Sequence, residues 1–487
     1  MSYNGGMLVI SIQGNFEEAK EAIRAASKVG DALEFRLDLM EKIDLSHVSK
    51  LKTYSKLPII FTLRKKSHGG SFKGNETERE GKLLELLTLK PDYVDLEYDS
   101  NFFDKIDPEI QVIASYHNFE KTPENLEEIL KKMQEIPAAI YKIATMAHSS
   151  LDALKMLLFV KKQKNVAGMC MGTLGMITRI LSPIVDSPLT YAFLEKPTAP
   201  GQVSVSELID IYHYPLLNRS TEIYGLIGDP VDKSIGHLCH NPIFKKAKKN
   251  GVYVKILLKP LEVPEFFNLI KELPFVGFSV TMPLKEVVAP YLAAVDPQAK
   301  KIGAINTLVK KEGEWFGTNT DAKGALDALE KKEKVIHKTL LIIGAGGAAK
   351  AISTEASNRG ARVIITNRTL KKAEILASQV HGGAIPITDV DQCPYDIIIN
   401  TTAVGMSPKI GDTPIPPEFI KENSLGFDVI MHPKETKFLN IIQNKGGKVV
   451  YGYEMYAQQA LGQLKAWSIL GLNDEEILSF IESFAFI

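Results

Sequence analysis

Lys142 lies inside Ala139-Ile140-Tyr141-Lys142-Ile143-Ala144, a run that otherwise reads as buried strand. An amine taken out of water loses the solvation of its ammonium form, so its pKa falls and the free base becomes a nucleophile toward ketones. His117 closes the preceding strand-like run with a side chain whose pKa suits proton transfer near neutrality. Alternation over residues 32–39 sets Glu34, Arg36 and Asp38 against Leu33, Phe35, Leu37 and Leu39, and Asp95, Glu97 and Asp99 likewise oppose Val94, Leu96 and Tyr98. The apolar sets must meet helices, so the charged sets point inward. There they either pair with one another or face a polar ligand. A second chemistry is signalled by Ile342-Ile343-Gly344-Ala345-Gly346-Gly347-Ala348-Ala349, a strand, a glycine turn and a helix start whose amides can approach a pyrophosphate. The following strand ends in Asn367-Arg368-Thr369, with Lys371 and Lys372 beyond. An acidic residue there would bond a ribose 2′-hydroxyl, whereas a guanidinium suits a 2′-phosphate, so the expected cofactor is NADP(H).

These groups need elements to hold them. Strand-like runs begin near Met7, Ala32, Pro58, Tyr93, Val112, Ala139, Val166 and Ala192, separated by amphipathic stretches such as 16–29 and 125–135. Eight near-equal strand–helix units predict a closed (β/α)8 barrel, with an open doubly wound sheet as the alternative. Residues 213–220 lack any period and carry a proline, which marks a junction. A fresh strand over 223–228 opens a second α/β region, and a helix over 324–334 leads to the glycine-turn region.

Composition sets the outer limits. The chain has 487 residues, 45 % hydrophobic, with 58 basic and 58 acidic side chains. At about 100–200 residues per domain that length gives roughly three domains. Zero formal net charge argues against nucleic acid or anionic membrane as a partner, and no apolar run approaches the roughly 18 residues of a spanning helix. The first residues have no basic segment before their short apolar run, unlike a signal peptide. Cys170, Cys239 and Cys393, far apart in sequence, fit a reducing, cytoplasmic setting and neither a disulfide framework nor a metal site. The composition leaves the oligomeric state open.

Residues 7–208 resemble the type I 3-dehydroquinate dehydratase family. The resemblance rests on Glu34-Phe35-Arg36, Phe61-Thr62-Leu63-Arg64, Tyr116-His117, Tyr141-Lys142-Ile143-Ala144, Met169-Cys170-Met171-Gly172 through Thr178-Arg179, and Ala199-Pro200-Gly201-Gln202. It implies that Lys142 forms a Schiff base with the substrate ketone and that His117 removes a proton at C2. It also implies that Arg36, Arg64 and Arg179 hold the carboxylate and hydroxyls, with Ser11, Glu34, Thr198 and Gln202 completing the pocket. One position departs: where the family has Arg-x-x-x-Glu-Gly-Gly, this chain has Arg64-Lys65-Lys66-Ser67-His68-Gly69-Gly70. The missing glutamate would charge-balance His117, so a shifted pH profile is expected.

From about Ile223 onward the chain resembles shikimate dehydrogenase. The matching pieces are Ser279-Val280-Thr281-Met282-Pro283-Leu284-Lys285, Gly303-Ala304-Ile305-Asn306-Thr307, Asn319-Thr320-Asp321, Asn400-Thr401-Thr402-Ala403-Val404-Gly405-Met406 and Tyr453-Glu454-Met455-Tyr456-Ala457-Gln458-Gln459. This resemblance implies a catalytic Lys285–Asp321 pair, with Thr281, Asn306 and Gln459 on substrate hydroxyls and Ser234 on the carboxylate. It assigns the cofactor to Gly344, Ala345, Gly346, Gly347 and Ala348, to Asn367, Arg368, Thr369 and Lys372, and to Thr401, Met406 and Gly452. Two positions depart. The Ser-x-Ser carboxylate clamp reads Ser234-Ile235-Gly236, and Met431 stands where the family usually has tyrosine. The lost hydroxyl opens space where quinate carries a C1 hydroxyl that shikimate lacks.

The expected domains are the barrel (1–215), a substrate-binding domain (221–325), a Rossmann NADP domain (326–452) and C-terminal helices packing back on the substrate domain (453–487). The order of the two halves resembles the plant and chlamydial fusion type. It implies dehydration of 3-dehydroquinate followed by reduction of 3-dehydroshikimate to shikimate. Two alternatives use the same fold: a ligand-sensing regulator, or a C-terminal half that acts partly on quinate.

Overall fold

A computed structural model describes residues 6–484. The N-terminal sheet holds β1 (Met7–Gly14), β2 (Ala32–Met40), β3 (Ile59–Thr62), β4 (Tyr93–Glu97), β5 (Gln111–Asn118), β6 (Ile140–Met146), β7 (Val166–Met171) and β8 (Leu189–Phe193). The strands are parallel and ordered β7-β6-β5-β4-β3-β2-β1-β8, with a short ninth strand, Val203–Ser204, beside β8, and β1 pairs with both β2 and β8. β7 and β8 lie against one another without a hydrogen-bonded ladder. All eight expected strands are present. The eighth starts at Leu189 rather than near Ala192, because Leu189-Thr190-Tyr191 continues the in–out alternation that Ala192 joins.

Helix starts follow their caps. Asn15 with Glu18, Asn75 with Glu78 and Ser149 with Asp152 form reciprocal capping boxes that satisfy the first free amides of three outer helices. Inside the sheet, Val9, Ala32, Ile60, Ile113, Ile140, Ala167 and Leu189 form an apolar floor. One pleat further along, the inward residues turn polar, and they lie toward the carboxyl ends where barrels place their chemistry.

The chain divides into two compact units. The first runs to Tyr224 and takes in Asn250–Phe275; the second holds Lys233–Lys249 and everything described from Val276 on. In the first unit helix Ser150–Lys161 is tied to the 260–272 segment by Ser149 Oγ on Glu262 (2.6 Å), Lys155 on Glu265 (2.7 Å) and Lys162 on Glu272 (3.1 Å). In the second, the strands Phe275–Val280, Thr307–Lys311, Glu314–Thr318 and Ala294–Val295 lie side by side in that order.

The last sheet is parallel and carries Gly383–Ile385, Arg362–Thr366, Thr339–Ile343, Ile397–Asn400, Leu425–Asp428 and Lys448–Val450, in that spatial order. This is a doubly wound arrangement whose topological switch point falls between Thr339–Ile343 and Ile397–Asn400, where such sheets bind nucleotides. The expected 324–334 helix begins three residues earlier, as Asp321–Glu330, with Thr320 at its N-cap and the preceding Asn319 Oδ1 accepting from Ala322 N at 3.1 Å. It packs closely on helix Gly452–Ala466. A Cβ at Gly324 would stand 2.7 Å from the Gln459 amide nitrogen, so only glycine permits this approach.

Candidate active sites

Four carboxylates (Glu34, Asp38, Asp95 and Glu97) and three arginines (Arg36, Arg64 and Arg79) form the paired charged layer of the barrel. Arg64 Nη1 reaches Asp95 at 2.9 Å, Glu97 at 3.2 Å and Ser115 Oγ at 2.7 Å, and Arg79 reaches Glu97 at 3.5 Å. Glu34 accepts from Ser11 Oγ (2.7 Å) and Thr62 Oγ1 (2.9 Å), while Arg36 forks onto Asp38 at 2.8 and 3.0 Å. The inward charges therefore pair with one another and also ring a cavity. That cavity, about 160 Å³, is lined by Glu34, Arg36, Arg64, Arg179, Thr198 and Gln202 together with His117 and Lys142. Asp99 lies past the end of β4 and is half exposed.

Lys142 is buried, with its ammonium on Asp95 and 4.6 Å from the centroid of the Tyr191 ring. Burial pulls its pKa down and Arg64 adds to the effect, against the pull of Asp95. Asp95 is held well below the usual carboxylate range: burial opposes ionisation, but Arg64 and Lys142 outweigh it. His117 is lowered well below an ordinary imidazole by burial, then by Arg64 and Lys142, so it is neutral and able to accept a proton. His68 Nδ1 sits 3.4 Å from His117 Nδ1, placing a second imidazole where the family pattern has a carboxylate.

The three arginines differ. Arg36 and Arg64 are already satisfied by acidic partners, whereas Arg179 has none among the described residues. It is fully buried, donates to Cys170 O at 2.6 Å, and leaves Nε without a partner. Burial lowers its pKa to about 10. An unpaired buried guanidinium on a cavity wall is a receptor for an anion, and its fork matches a carboxylate. Gln202 closes the pocket edge by accepting from Thr198 N at 2.6 Å.

In the second unit, Lys285 Nζ lies 2.5 Å from Asp321 Oδ2, and Asn306 Nδ2 donates to Asp321 Oδ1 at 2.7 Å. Asn306 is held from behind: its Oδ1 accepts from Thr320 N (2.8 Å), and its backbone carbonyl accepts from Gln463 Nε2 (3.3 Å). The backbone of residue 305 returns to Lys285 O at 2.8 Å, locking the two loops together. Ser234, Thr281 and Gln459 make no direct hydrogen bond to this trio. Gln459 reaches its neighbourhood through the contact at Gly324, and Ser234 Oγ accepts from Gly236 N at 3.2 Å.

The glycine turn fits a dinucleotide. Gly344 has φ +116°, and a Cβ there would strike Thr401 Oγ1 at 2.5 Å, whereas Cβ positions on Gly346 and Gly347 would enter open space. Ala345 and Ala348 flank that opening half-buried, and helix Gly347–Asn358 starts without a side-chain cap, leaving its amides free for phosphate. Asn367 Nδ2 donates to Thr369 O at 3.0 Å, fixing the turn that presents Arg368 and Lys372, which are exposed and without acidic partners among the described residues. Thr401 Oγ1 donates to Ile343 O at 2.7 Å; Met406 is exposed nearby in sequence, and Gly452 packs on the Ile430 carbonyl.

Comparison with known proteins separates the same segments. Residues 8–218 match the model of type I 3-dehydroquinase, 226–308 that of the shikimate dehydrogenase substrate binding domain, and 327–408 that of shikimate / quinate 5-dehydrogenase. The chain is 36 % identical over 481 residues to the chloroplastic bifunctional 3-dehydroquinate dehydratase/shikimate dehydrogenase of Arabidopsis thaliana, covering 92 % of this chain and 79 % of that one. It is 35 % identical to the shikimate biosynthesis protein AroDE of Chlamydia pneumoniae, covering 97 % and 98 % respectively. The chain belongs to the bifunctional 3-dehydroquinate dehydratase/shikimate dehydrogenase family. For the dehydrogenase half, a crystal structure of the Thermus thermophilus shikimate 5-dehydrogenase with NADP(H) and shikimate superposes with a TM-score of 0.51 at 29 % identity, over 54 % of this chain and 99 % of that one. A shikimate dehydrogenase in complex with NADP+ gives 0.53 at 34 %, over 55 % and 97 %.

Within this bifunctional family member, sequence reasoning missed the tasks of Ser115, Tyr191 and Gln463. Each is an ordinary residue of a strand or helix, and only the neighbours brought in by other strands give it a partner or a place. No residue group suited to a metal ion occurs among the described residues, and no described helix is long and apolar enough to cross a membrane.

Proposed function

We propose that the chain dehydrates 3-dehydroquinate in the barrel by way of a Schiff base on Lys142, and reduces 3-dehydroshikimate to shikimate at Lys285 and Asp321 with NADP(H). The observation that carries the first step is a buried lysine, lowered in pKa, in a cavity whose one unpaired cation is Arg179. Lys142 Nζ adds to the C3 carbonyl, and the oxygen leaves as water. Neutral His117 takes the C2 proton while the electron pair moves into the iminium. The C1 hydroxyl then departs with the proton that His117 returns, and hydrolysis frees Lys142. Arg179 receives the carboxylate. In the second site, the glycine turn would hold the pyrophosphate of NADP(H) and Arg368 and Lys372 its 2′-phosphate, and the bound cofactor would supply the hydride. Lys285 gives the ketone oxygen its proton; Asp321 orients that ammonium and Asn306 orients Asp321. The three buried free thiols agree with work in the reducing cytoplasm. Borohydride added during turnover tests the reading: mass spectrometry must find reduced substrate on Lys142, and an unlabelled Lys142 would refute the imine.

Histidine in place of the family's glutamate has a measurable effect. In the parent no carboxylate touches His117 directly, and its facing charges are Arg64, Lys142, Asp95 and His68. In His68→Glu a carboxylate would replace the imidazole that now lies 3.4 Å from His117, favour imidazolium and raise the pKa of His117. The acid limb of dehydration kcat/KM must then move to higher pH, since protonated His117 is inactive as a base. Coincident limbs would show that residue 68 does not act on the base.

Gly236 favours a second activity. Where the family has a second serine it carries no hydroxyl, and its amide is taken by Ser234 Oγ at 3.2 Å, so one donor fewer would face the substrate beside C1. Quinate-dependent reduction of NADP+ at millimolar quinate is the expected result, and Gly236→Ser should lower it relative to shikimate oxidation. A parent inert toward quinate would dispose of this reading.

A further inference from the structure

Among the polar side chains lining the barrel cavity, Tyr191 alone makes no hydrogen bond at all. It rises from β8 into the barrel beside the apolar floor, is only 4 % exposed, and its hydroxyl oxygen is buried without a partner. A phenylalanine would fill the same space, and an unpaired buried hydroxyl is destabilising. The ring face seats the Lys142 ammonium at 4.6 Å. Burial, and then Glu34 and Asp95, push the phenol well above its ordinary pKa, with Arg64 and Arg36 opposing, so it keeps its proton and remains a donor.

We propose that Tyr191 donates a hydrogen bond to the oxygen on the carbon that Lys142 attacks, and so is the barrel's receptor for a ketone. This assignment rests on the imine reading above. As the C–N bond forms, the carbonyl π pair moves onto oxygen, and the phenol stabilises that developing charge without giving up its proton. The C–O bond then breaks as the nitrogen pair forms C=N. Counted from the ammonium form of Lys142, the two protons that leave with the oxygen as water are the lysine's own, so the step needs no further reactant. A hydroxyl held unpaired until substrate arrives concentrates its effect on the bound state.

The test is Tyr191→Phe in the full chain, which keeps the ring and the seat for Lys142. The expected result is a Tm equal to or above that of the parent, together with about tenfold slower formation of the borohydride-trapped adduct on Lys142. Trapping at the parental rate would overturn the assignment and leave the imine standing. A lower Tm would overturn it too, by showing that the hydroxyl serves the fold. If the parent itself gives no adduct, the imine reading falls and this one with it.

Discussion

Lys142→Ala is expected to lower dehydration of 3-dehydroquinate by at least about 10⁴-fold while 3-dehydroshikimate is still reduced at the parental rate. The size follows from the covalent role: without the amine no iminium forms, and the carbanion at C2 has no electron sink. The variant should fold, because its partner is not left stranded. Asp95 keeps Arg64 at 2.9 Å, so no unpaired charge is buried by the substitution. The measurement is a split assay, with absorbance of the enone product for the first reaction and NADPH consumption from added 3-dehydroshikimate for the second. Residual dehydration within tenfold of the parent would remove Lys142 from the mechanism.

Lys285→Ala is expected to cost the reduction about 10²–10⁴-fold, the usual range for a positioned general acid, with dehydration untouched. Asp321→Asn separates the two functions of the pair. An amide can still accept from Asn306 but presents no charge to Lys285, which it holds 2.5 Å away in the parent. A fall in kcat with a nearly constant KM for 3-dehydroshikimate is therefore expected. NADPH affinity, read by fluorescence, should stay at the parental value in both variants, because the glycine turn and Arg368 belong to other elements. Loss of NADPH binding would place Lys285 in the cofactor site instead.

Much of this was legible in the sequence, and the reason is periodicity. Alternation alone sorted Glu34, Arg36 and Asp38 from Leu33, Phe35 and Leu37, and all six are buried on the expected principle. Lys142 stood out because a charge inside an apolar run has few physical explanations. What could not be read was pairing across strands. Arg36, Arg64 and Arg179 look alike in one dimension, yet two are neutralised by carboxylates on their own or adjoining strands and one is not. Asp99 shared the alternation of Asp95 and Glu97 but falls where the strand has ended, so it turns toward solvent. Tyr191 carried no signal at all, since an aromatic in a strand is ordinary until its hydroxyl is found without a partner.

Arg179 has one more consequence. Arg179 has no carboxylate partner among the described residues, whereas Arg36, Arg64, Arg79 and Lys142 each lie against one. On the proposed reading, the substrate's carboxylate supplies to Arg179 the counter-charge that no side chain there provides. Binding and folding then draw on the same interaction, so any small anion that reaches Arg179 should act at once as an inhibitor and as a stabiliser.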